Sequence, residues 1–141
     1  MPILHIHLVQ GQHMPEQIDE LLLQCSRFFA EGLVCPIDRV RVFVSEHAPG
    51  RVCVGGRLVS ESGVQAPYFS FIVLEGRSLQ ERQHLLSGFT DLIVRILGVR
   101  REEVRGGVVP VAPEDWSIGG QPASVLRQQE VELRKQRSNL T

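Results

Sequence analysis

The chain has 141 residues, of which 43% are hydrophobic and 22% are charged, and its formal net charge is −1. This composition predicts one globular domain, and the near-zero charge gives no electrostatic basis for binding nucleic acid or a membrane. No apolar run approaches the roughly twenty residues that span a bilayer, and no signal segment opens the chain. Its three cysteines are odd in number and lack paired spacing, which favours a reducing compartment over a disulfide or zinc framework. We therefore expect a cytoplasmic protein.

The amino-terminal segment combines a reactive second residue with a strand pattern. Met1 precedes the small residue Pro2, so we expect an aminopeptidase to remove Met1 and leave a secondary amine. The pKa of such an amine is about 8 when exposed, and burial or a nearby cation lowers it, so that the neutral amine can act as a general base. The alternative is that Pro2 is only a permissive second residue. Residues 3–9 alternate in polarity, which predicts a strand that ends at Gly11.

Two histidines, His5 and His7, share one face of this strand. They lie about 6.6 Å apart along it. A metal site needs a third ligand, and the sequence offers no convincing one. We therefore predict that both histidines are sheet-face residues and that the protein holds no metal.

A helix and further strands complete the first half. Pro15 suits the first turn of the helix, and Gly32 suits its end. Residues 40–45 form the next predicted strand, and residues 51–59 form a short strand pair around two glycines. The apolar stripe of the helix at residues 17–31 comprises Ile18, Leu21, Leu22, Cys25, Phe28 and Phe29.

The second half repeats the first. Residues 67–77 align with residues 2–12 at an offset of 65, and Gly119-Gly120 align with Gly55-Gly56 at an offset of 64. A Ser-x-x-Glu capping box at residues 78–81 opens a second helix. The predicted apolar stripe and stop of this helix are Leu86, Phe89, Ile93, Ile96 and Gly98.

The repeat predicts an α+β fold, a tandem β-α-β arrangement with two helices on one face of a four-stranded sheet. We expect residues 1–124 to form a single domain made of two units, 2–61 and 67–124. The sheet face without helices carries enough apolar residues that we expect it to be buried between subunits.

The remaining residues, 125–141, form a polar tail that is compatible with a helix. Glu130 and Arg134 are spaced i,i+4, as in a helical ion pair. The tail lacks a strong apolar stripe. We expect either a helix laid on a neighbouring subunit or a mobile segment.

Four segments carry a resemblance to a known family. They are Pro2, the strand and turn His5-Ile-His-Leu-Val-Gln-Gly11, the strand Val40-Arg-Val-Phe-Val-Ser-Glu46 and the turn Val54-Gly-Gly56. Together they resemble the tautomerase superfamily, in the form where two 4-oxalocrotonate-tautomerase-like units are fused. Asp115-Trp-Ser-Ile-Gly119 is also similar to a stretch of malonate semialdehyde decarboxylase-like members. The resemblance implies a β-α-β fold, a catalytic amino-terminal proline, no cofactor and a homotrimer.

The resemblance also implies roles for individual residues. Pro2 matches the catalytic proline, and Arg77 stands where the family places a substrate-binding arginine. Arg41 matches the family's other carboxylate-binding arginine, and Arg105 is its repeat partner. Trp116 falls where an aromatic side chain walls the pocket.

The two copies divide these roles unequally. Pro67 matches Pro2 in position but lies inside the chain, where its nitrogen is an amide and cannot be a base. Gln12 occupies the position equivalent to Arg77. We therefore expect one proline site per chain, built from the amine of the first copy and from Arg77 and Trp116 of the second.

The resulting hypothesis is a cofactor-independent isomerase that interconverts enol and keto forms of a 2-oxo acid, a small carboxylate, with Pro2 as general base and acid. An alternative uses Pro2 in a decarboxylase or in a hydratase or dehalogenase of a three-carbon acid. Leu74 and Glu75 stand where those branches need arginines, which weakens this alternative. A further alternative is a non-catalytic member that binds a small ligand or a protein.

Overall fold

The computed structural model describes residues 2–140, without the side chains of Ser138 and Leu140. Single 3-10 turns lie at Ile37–Arg39, Pro49–Arg51, Arg101–Glu103 and Pro113–Asp115. The strands and helices are β1 (Ile3–Val9), α1 (Pro15–Leu33), β2 (Arg41–His47), β3 (Cys53–Val54), β4 (Arg57–Leu58), α2 (Val59–Ser62), β5 (Tyr68–Leu74), α3 (Leu79–Leu97), β6 (Arg105–Val111), β7 (Ser117–Ile118), β8 (Gln121–Pro122), α4 (Ala123–Leu126) and α5 (Gln128–Leu140).

Four strands form one mixed sheet in the order β2-β1-β5-β6. β1 pairs in parallel with β2, and β5 pairs in parallel with β6. The two central strands, β1 and β5, are antiparallel, so that Ile3 lies opposite Ile72 and His7 opposite Tyr68. Helices α1 and α3 pack side by side over this sheet. The predicted α+β fold of two β-α-β units is confirmed.

The antiparallel centre gives the sheet two equivalent ends. At one end β1 begins and β5 finishes, and we call this the Pro2 end. At the other end β5 begins and β1 finishes, and we call this the Pro67 end. Backbone hydrogen bonds of 3.1 Å link Arg41 N–H to the Pro2 carbonyl and Arg105 N–H to the Pro67 carbonyl. The two ends are therefore alike in backbone structure.

The hydrophobic core lies between the sheet and the two long helices. Its largest side chains are four phenylalanines, of which three pack edge to face on Phe89. Phe89 of α3 is central to this packing, with ring centroids 5.0 Å from Phe29 and 5.3 Å from Phe71. The apolar stripe of α3 begins one residue earlier than predicted, because Leu85 is buried and Leu86 is only partly buried.

The helix ends match the predictions except at the end of α1. The capping box that opens α3 and the stop at Gly98 are both present. Gly32, however, lies inside α1, which ends at Leu33 with Val34 in the left-handed region at φ 52°. A Cβ atom on Gly32 would lie 2.9 Å from Cδ2 of Leu85. This glycine therefore permits the close approach of α1 and α3.

A glycine in β6 also has a packing role. A Cβ atom on Gly106 would lie 2.1 Å from Cζ of Phe69, its partner in the register. The equivalent pair in the first unit is Leu4 and Val42. In the second unit, a Phe–Gly pair therefore fills the space that a Leu–Val pair fills in the first unit.

The sheet face away from α1 and α3 is partly apolar. Phe43, Tyr68 and Val109 are each about half exposed there. His5 and His7 of β1 alternate with core residues and lie on the same face. Within residues 2–140, no helix has both the length and the hydrophobicity needed to cross a membrane.

Candidate active site

Pro2 is buried at the Pro2 end of the sheet, directly before β1. It lines a cavity of about 30 Å³, which is the room that one water molecule needs. Both β-α-β units and α5 contribute to its wall, which combines apolar side chains with three arginines. The lining residues are Pro2, Leu33, Cys35, Arg39, Val73, Leu74, Arg77, Glu130 and Arg134.

Arg77 is the predicted substrate-binding residue that lies in this cavity with Pro2. The preceding Gly76 has φ 108°, a conformation that favours glycine and turns the chain towards α3. One terminal nitrogen of Arg77, Nη1, donates to the Leu33 carbonyl and to Oε2 of Glu81, each at 3.1 Å. Nε and Nη2 have no hydrogen-bond partner among the groups that the structure describes. That edge of the guanidinium is therefore left for a carboxylate, which it can bind in a bidentate way.

Glu81 holds Arg77 in one orientation. The Arg77 side chain is 14% exposed, whereas that of Glu81 is 42% exposed. The ion pair therefore extends from the buried cavity wall to the protein surface. Burial acts to raise the pKa of Glu81, but the hydrogen bond and charge of Arg77 outweigh it and lower that pKa below its ordinary value. Glu81 is therefore ionised at neutral pH, and its charge stabilises the guanidinium.

Arg39 and Glu130 are site residues that the sequence reasoning missed. Arg39 lies in the 3-10 turn Ile37–Arg39, and its Nη1 donates to both carboxylate oxygens of Glu130, at 3.0 and 3.2 Å. The two residues are 91 positions apart. This ion pair attaches α5 to the first unit of the same chain. The described part of the tail is thus a helix on its own chain's cavity, where we expected it on a neighbouring subunit or mobile.

Arg134 is a third arginine at the cavity, and it lies one turn after Glu130 on α5. The predicted ion pair between Glu130 and Arg134 does not form, because Glu130 binds Arg39 instead. The side chain of Arg134 passes over Gly76, where an added Cβ atom would lie 3.2 Å from Cβ of Arg134. Burial and the charge of Arg77 lower the pKa of Arg134, and Glu130 opposes this shift.

Arg41 and Trp116 lie in a neighbouring cleft of about 530 Å³. Arg39 lines both this cleft and the Pro2 cavity, so the two spaces lie on either side of its side chain. Ile3, the residue after Pro2, also lines the cleft. Within one chain, Pro2 and Arg77 therefore share a cavity, and Arg41 and Trp116 line the adjacent cleft.

Arg105 lies at the opposite end of the sheet from Pro2. Its backbone pairs with Pro67, and its guanidinium donates to the carbonyls of Glu102 and Val104. It is therefore absent from the Pro2 cavity of its own chain, and its substrate-binding role stays a prediction. Gln12, the counterpart of Arg77, also lies at this end and donates to the Val64 carbonyl at 3.0 Å.

The two histidines of β1 bind neighbouring side chains. His5 Nε2 lies 2.7 Å from the Ser45 hydroxyl, and His7 Nδ1 lies 2.9 Å from Nε2 of His47. In the described part of the chain, no three His, Cys, Asp or Glu side chains are grouped to hold a metal ion. The histidines belong to the sheet face, as predicted.

Cys35 is the one thiol in the Pro2 cavity among the described residues. Burial raises its pKa above the ordinary value, although the charges of Arg77 and Arg39 oppose that shift. The thiol therefore stays protonated at neutral pH, and a protonated thiol is a poor nucleophile. Cys35 therefore only lines the cavity, and Pro2 is the candidate catalytic residue there.

Comparisons with known proteins relate the chain to tautomerases. No protein-family model matches the chain. A 2-hydroxymuconate tautomerase of Pseudomonas putida is 36% identical over 61 residues, which cover 43% of this chain and 95% of that protein. A probable tautomerase of Ralstonia nicotianae is 29% identical over 62 residues, covering 44% of this chain and 89% of its own length.

Solved structures match almost the whole fold. The native fused 4-OT structure has a TM-score of 0.82 and 23% identity, covering 89% of this chain and 98% of its own. A fused 4-OT asymmetric trimer has a TM-score of 0.80 and 24% identity, covering 88% and 98%. The curated relatives thus match one unit, whereas the fused structures match both. The chain belongs to the tautomerase superfamily, as an isomerase whose two tautomerase-like units are fused in one polypeptide.

Proposed function

We propose that this isomerase interconverts the enol and keto forms of a 2-oxo acid, with the nitrogen of Pro2 as general base and acid. The observation that carries the proposal is that buried Pro2 shares one small cavity with Arg77 and Arg39. A potential base and two guanidiniums thereby face the same space. This is the arrangement that proton transfer on a bound carboxylate requires.

The proposed base is the free amine that removal of Met1 creates. The neutral amine takes the proton of the enol hydroxyl, and the protonated amine returns a proton to carbon, so that the enzyme is unchanged after one turnover. The arginines that line the cavity disfavour the charged amine, as does burial. We therefore expect the rising limb of kcat/KM against pH to report a pKa below the exposed value of about 8.

Arg77 is the proposed carboxylate-binding residue. Its Nε and Nη2 edge is the one that the described residues leave without a hydrogen-bond partner. In the proposed complex, the carboxylate is bound at this edge with its adjacent keto or enol group directed towards Pro2. The guanidinium also stabilises the enolate charge that develops during proton transfer. Arg41 and Trp116 extend the proposed site into the neighbouring cleft.

We further propose that the chain acts as a homotrimer. The half-exposed Phe43, Tyr68 and Val109 make the sheet face without long helices apolar, and such a face is stable when another subunit covers it. Trimeric fused structures have the same fold. Light scattering at micromolar concentration is expected to give three times the mass of one chain, and a monomer would contradict the proposal.

The activity test is a substrate panel on protein whose intact mass shows a Pro2 start. Phenylpyruvate enol tests a monocarboxylate, and 2-hydroxymuconate tests the compound for which the Pseudomonas relative is named. Malonate semialdehyde tests the decarboxylase alternative. We expect ketonisation of an enol acid. Turnover of malonate semialdehyde alone would overturn the proposal.

A further inference from the structure

Arg134 belongs to α5, which has no counterpart in the repeated units, yet it lines the cavity of Pro2. Its side chain is half-buried, and its aliphatic part is seated on Gly76, the residue before Arg77. Both arginines therefore line the same cavity, and the charge of Arg77 acts on Arg134. Glu130, one helical turn earlier, is bound by Arg39 and fixes α5 over the cavity.

The charges around the cavity do not balance. Arg39 is bound to Glu130, and Arg77 is bound to Glu81. Arg134 makes no hydrogen bond or ion pair with any group that the structure describes in residues 2–140. A half-buried cation beside a second cation is unfavourable in a poorly hydrated site, and an anion that enters between them removes the repulsion.

We propose that Arg134 is a substrate-binding residue and that it holds the same substrate carboxylate as Arg77. The inference rests on the proposed function, because it assumes that the site takes a 2-oxo acid. The carboxylate lies between the free edge of Arg77 and the guanidinium of Arg134. Residues outside the two-unit repeat thereby supply part of the binding site.

This arrangement makes a testable distinction between an acid and its uncharged ester. A carboxylate gains a charge-assisted hydrogen bond from Arg134, whereas a methyl ester of similar size gains none of that charge interaction. Loss of Arg134 is therefore expected to weaken binding of the acid and to leave binding of the ester nearly unchanged.

The experiment is calorimetric titration of the full chain with phenylpyruvate and with its methyl ester. For Arg134→Gln, we expect the Kd of the acid to rise roughly 10- to 100-fold and the Kd of the ester to change less than about twofold. Arg137→Gln is the matched control, because Arg137 is an exposed arginine on the same helix. It is expected to change neither Kd.

The outcomes separate this inference from the proposed function. An unchanged acid Kd in Arg134→Gln overturns the inference, as does an equal loss for acid and ester, which would indicate a structural role. Absence of acid binding to the unmodified chain also overturns it. Turnover of phenylpyruvate enol is measured on the same samples and tests the proposed function, so failure of the inference and failure of the proposed function give different results.

Discussion

The two ends of the sheet have the same backbone and different chemistry. At each end a buried proline carbonyl accepts a 3.1 Å hydrogen bond from an arginine N–H, from Arg41 at the Pro2 end and from Arg105 at the Pro67 end. Pro2 can become a free amine, whereas the nitrogen of Pro67 is always an amide. Arg77 lies at the Pro2 end, and its counterpart Gln12 carries no charge. The repeat therefore preserves the backbone of the two ends but not their chemical groups.

The C-terminal helix adds a further difference between the ends. α5 places Glu130 and Arg134 at the Pro2 cavity. The amino-terminal unit is followed by the short helix α2 and then directly by β5, so it has no equivalent of α5. The Pro2 end therefore combines the proposed amine, Arg77 and an added helix, and the Pro67 end lacks all three.

Blocking the amine is expected to have the largest effect. A residue retained or added before Pro2 turns its nitrogen into an amide, so the reaction is expected to stop. Pro2→Ala keeps a primary amine and is expected to retain reduced activity, whereas Pro67→Ala is expected to leave kcat/KM within about threefold. The measurement is kcat/KM together with intact mass. Full activity in protein that still carries Met1 would falsify the role of the amine.

Removing the guanidinium comes next. Arg77→Ala is expected to lower kcat/KM by an amount equivalent to roughly 2–4 kcal/mol, because a partly desolvated carboxylate loses its partner. Gln12→Ala, the change at the equivalent position, is expected to have little effect. Thermal unfolding of both variants controls for the lost bond from Arg77 to the Leu33 carbonyl. Equal losses of activity in the two variants would contradict the division between the ends.

A core substitution tests how far the two units differ in packing. Gly106→Val introduces at β6 the side chain that the first unit has at Val42, and its Cβ atom would meet the buried ring of Phe69 at 2.1 Å. We expect a loss of about 1–3 kcal/mol in the free energy of unfolding, measured with denaturant. Phe69→Leu in the same chain is expected to restore part of it. Additive losses in the double variant would show that the pair is not coupled.

The smallest expected effect is a pH dependence of stability from the first unit alone. Burial, followed by the charges of His5 and His47, lowers the pKa of His7 below 6.5. The unfolded chain then binds the proton more tightly, so stability falls as pH decreases from about 6.5 through the lowered pKa. His7→Ile, which copies Ile72 of the second unit, is expected to flatten this decline in Tm between pH 7 and pH 5. An unchanged decline would assign it to other groups.

Much of the fold is predictable from the sequence because local signals agree with one another. The repeat predicts the sheet and its two helices, and the Ser78 capping box and Gly98 are correct to the residue. The prediction from Gly32 is wrong because a glycine near a helix end can either end the helix or allow another helix to approach closely. The contact with Leu85 shows that Gly32 allows close packing.

The site is only partly predictable. Pro2 and Arg77 are found from position and resemblance, and they do share a cavity. Arg39 carries no periodic signal, because its place at the cavity depends on an ion pair with Glu130, 91 positions away. The tail lacks an apolar stripe, so pattern analysis does not predict that α5 packs on the chain.

The packing of Phe69 against Gly106 also limits the order in which the sequences of the two units can diverge. A Leu–Val pair, as at Leu4 and Val42, becomes a Phe–Gly pair through two substitutions. These substitutions can occur in either order. Losing the β-strand side chain first leaves a void, which a core tolerates at a moderate cost. Replacing the Leu by Phe first forces a ring into space that the Val side chain still occupies. Phe69 is only 1% exposed, so its ring cannot rotate out to solvent. Divergence of the two halves at this position therefore has a preferred direction, in which the smaller residue is accepted before the larger one.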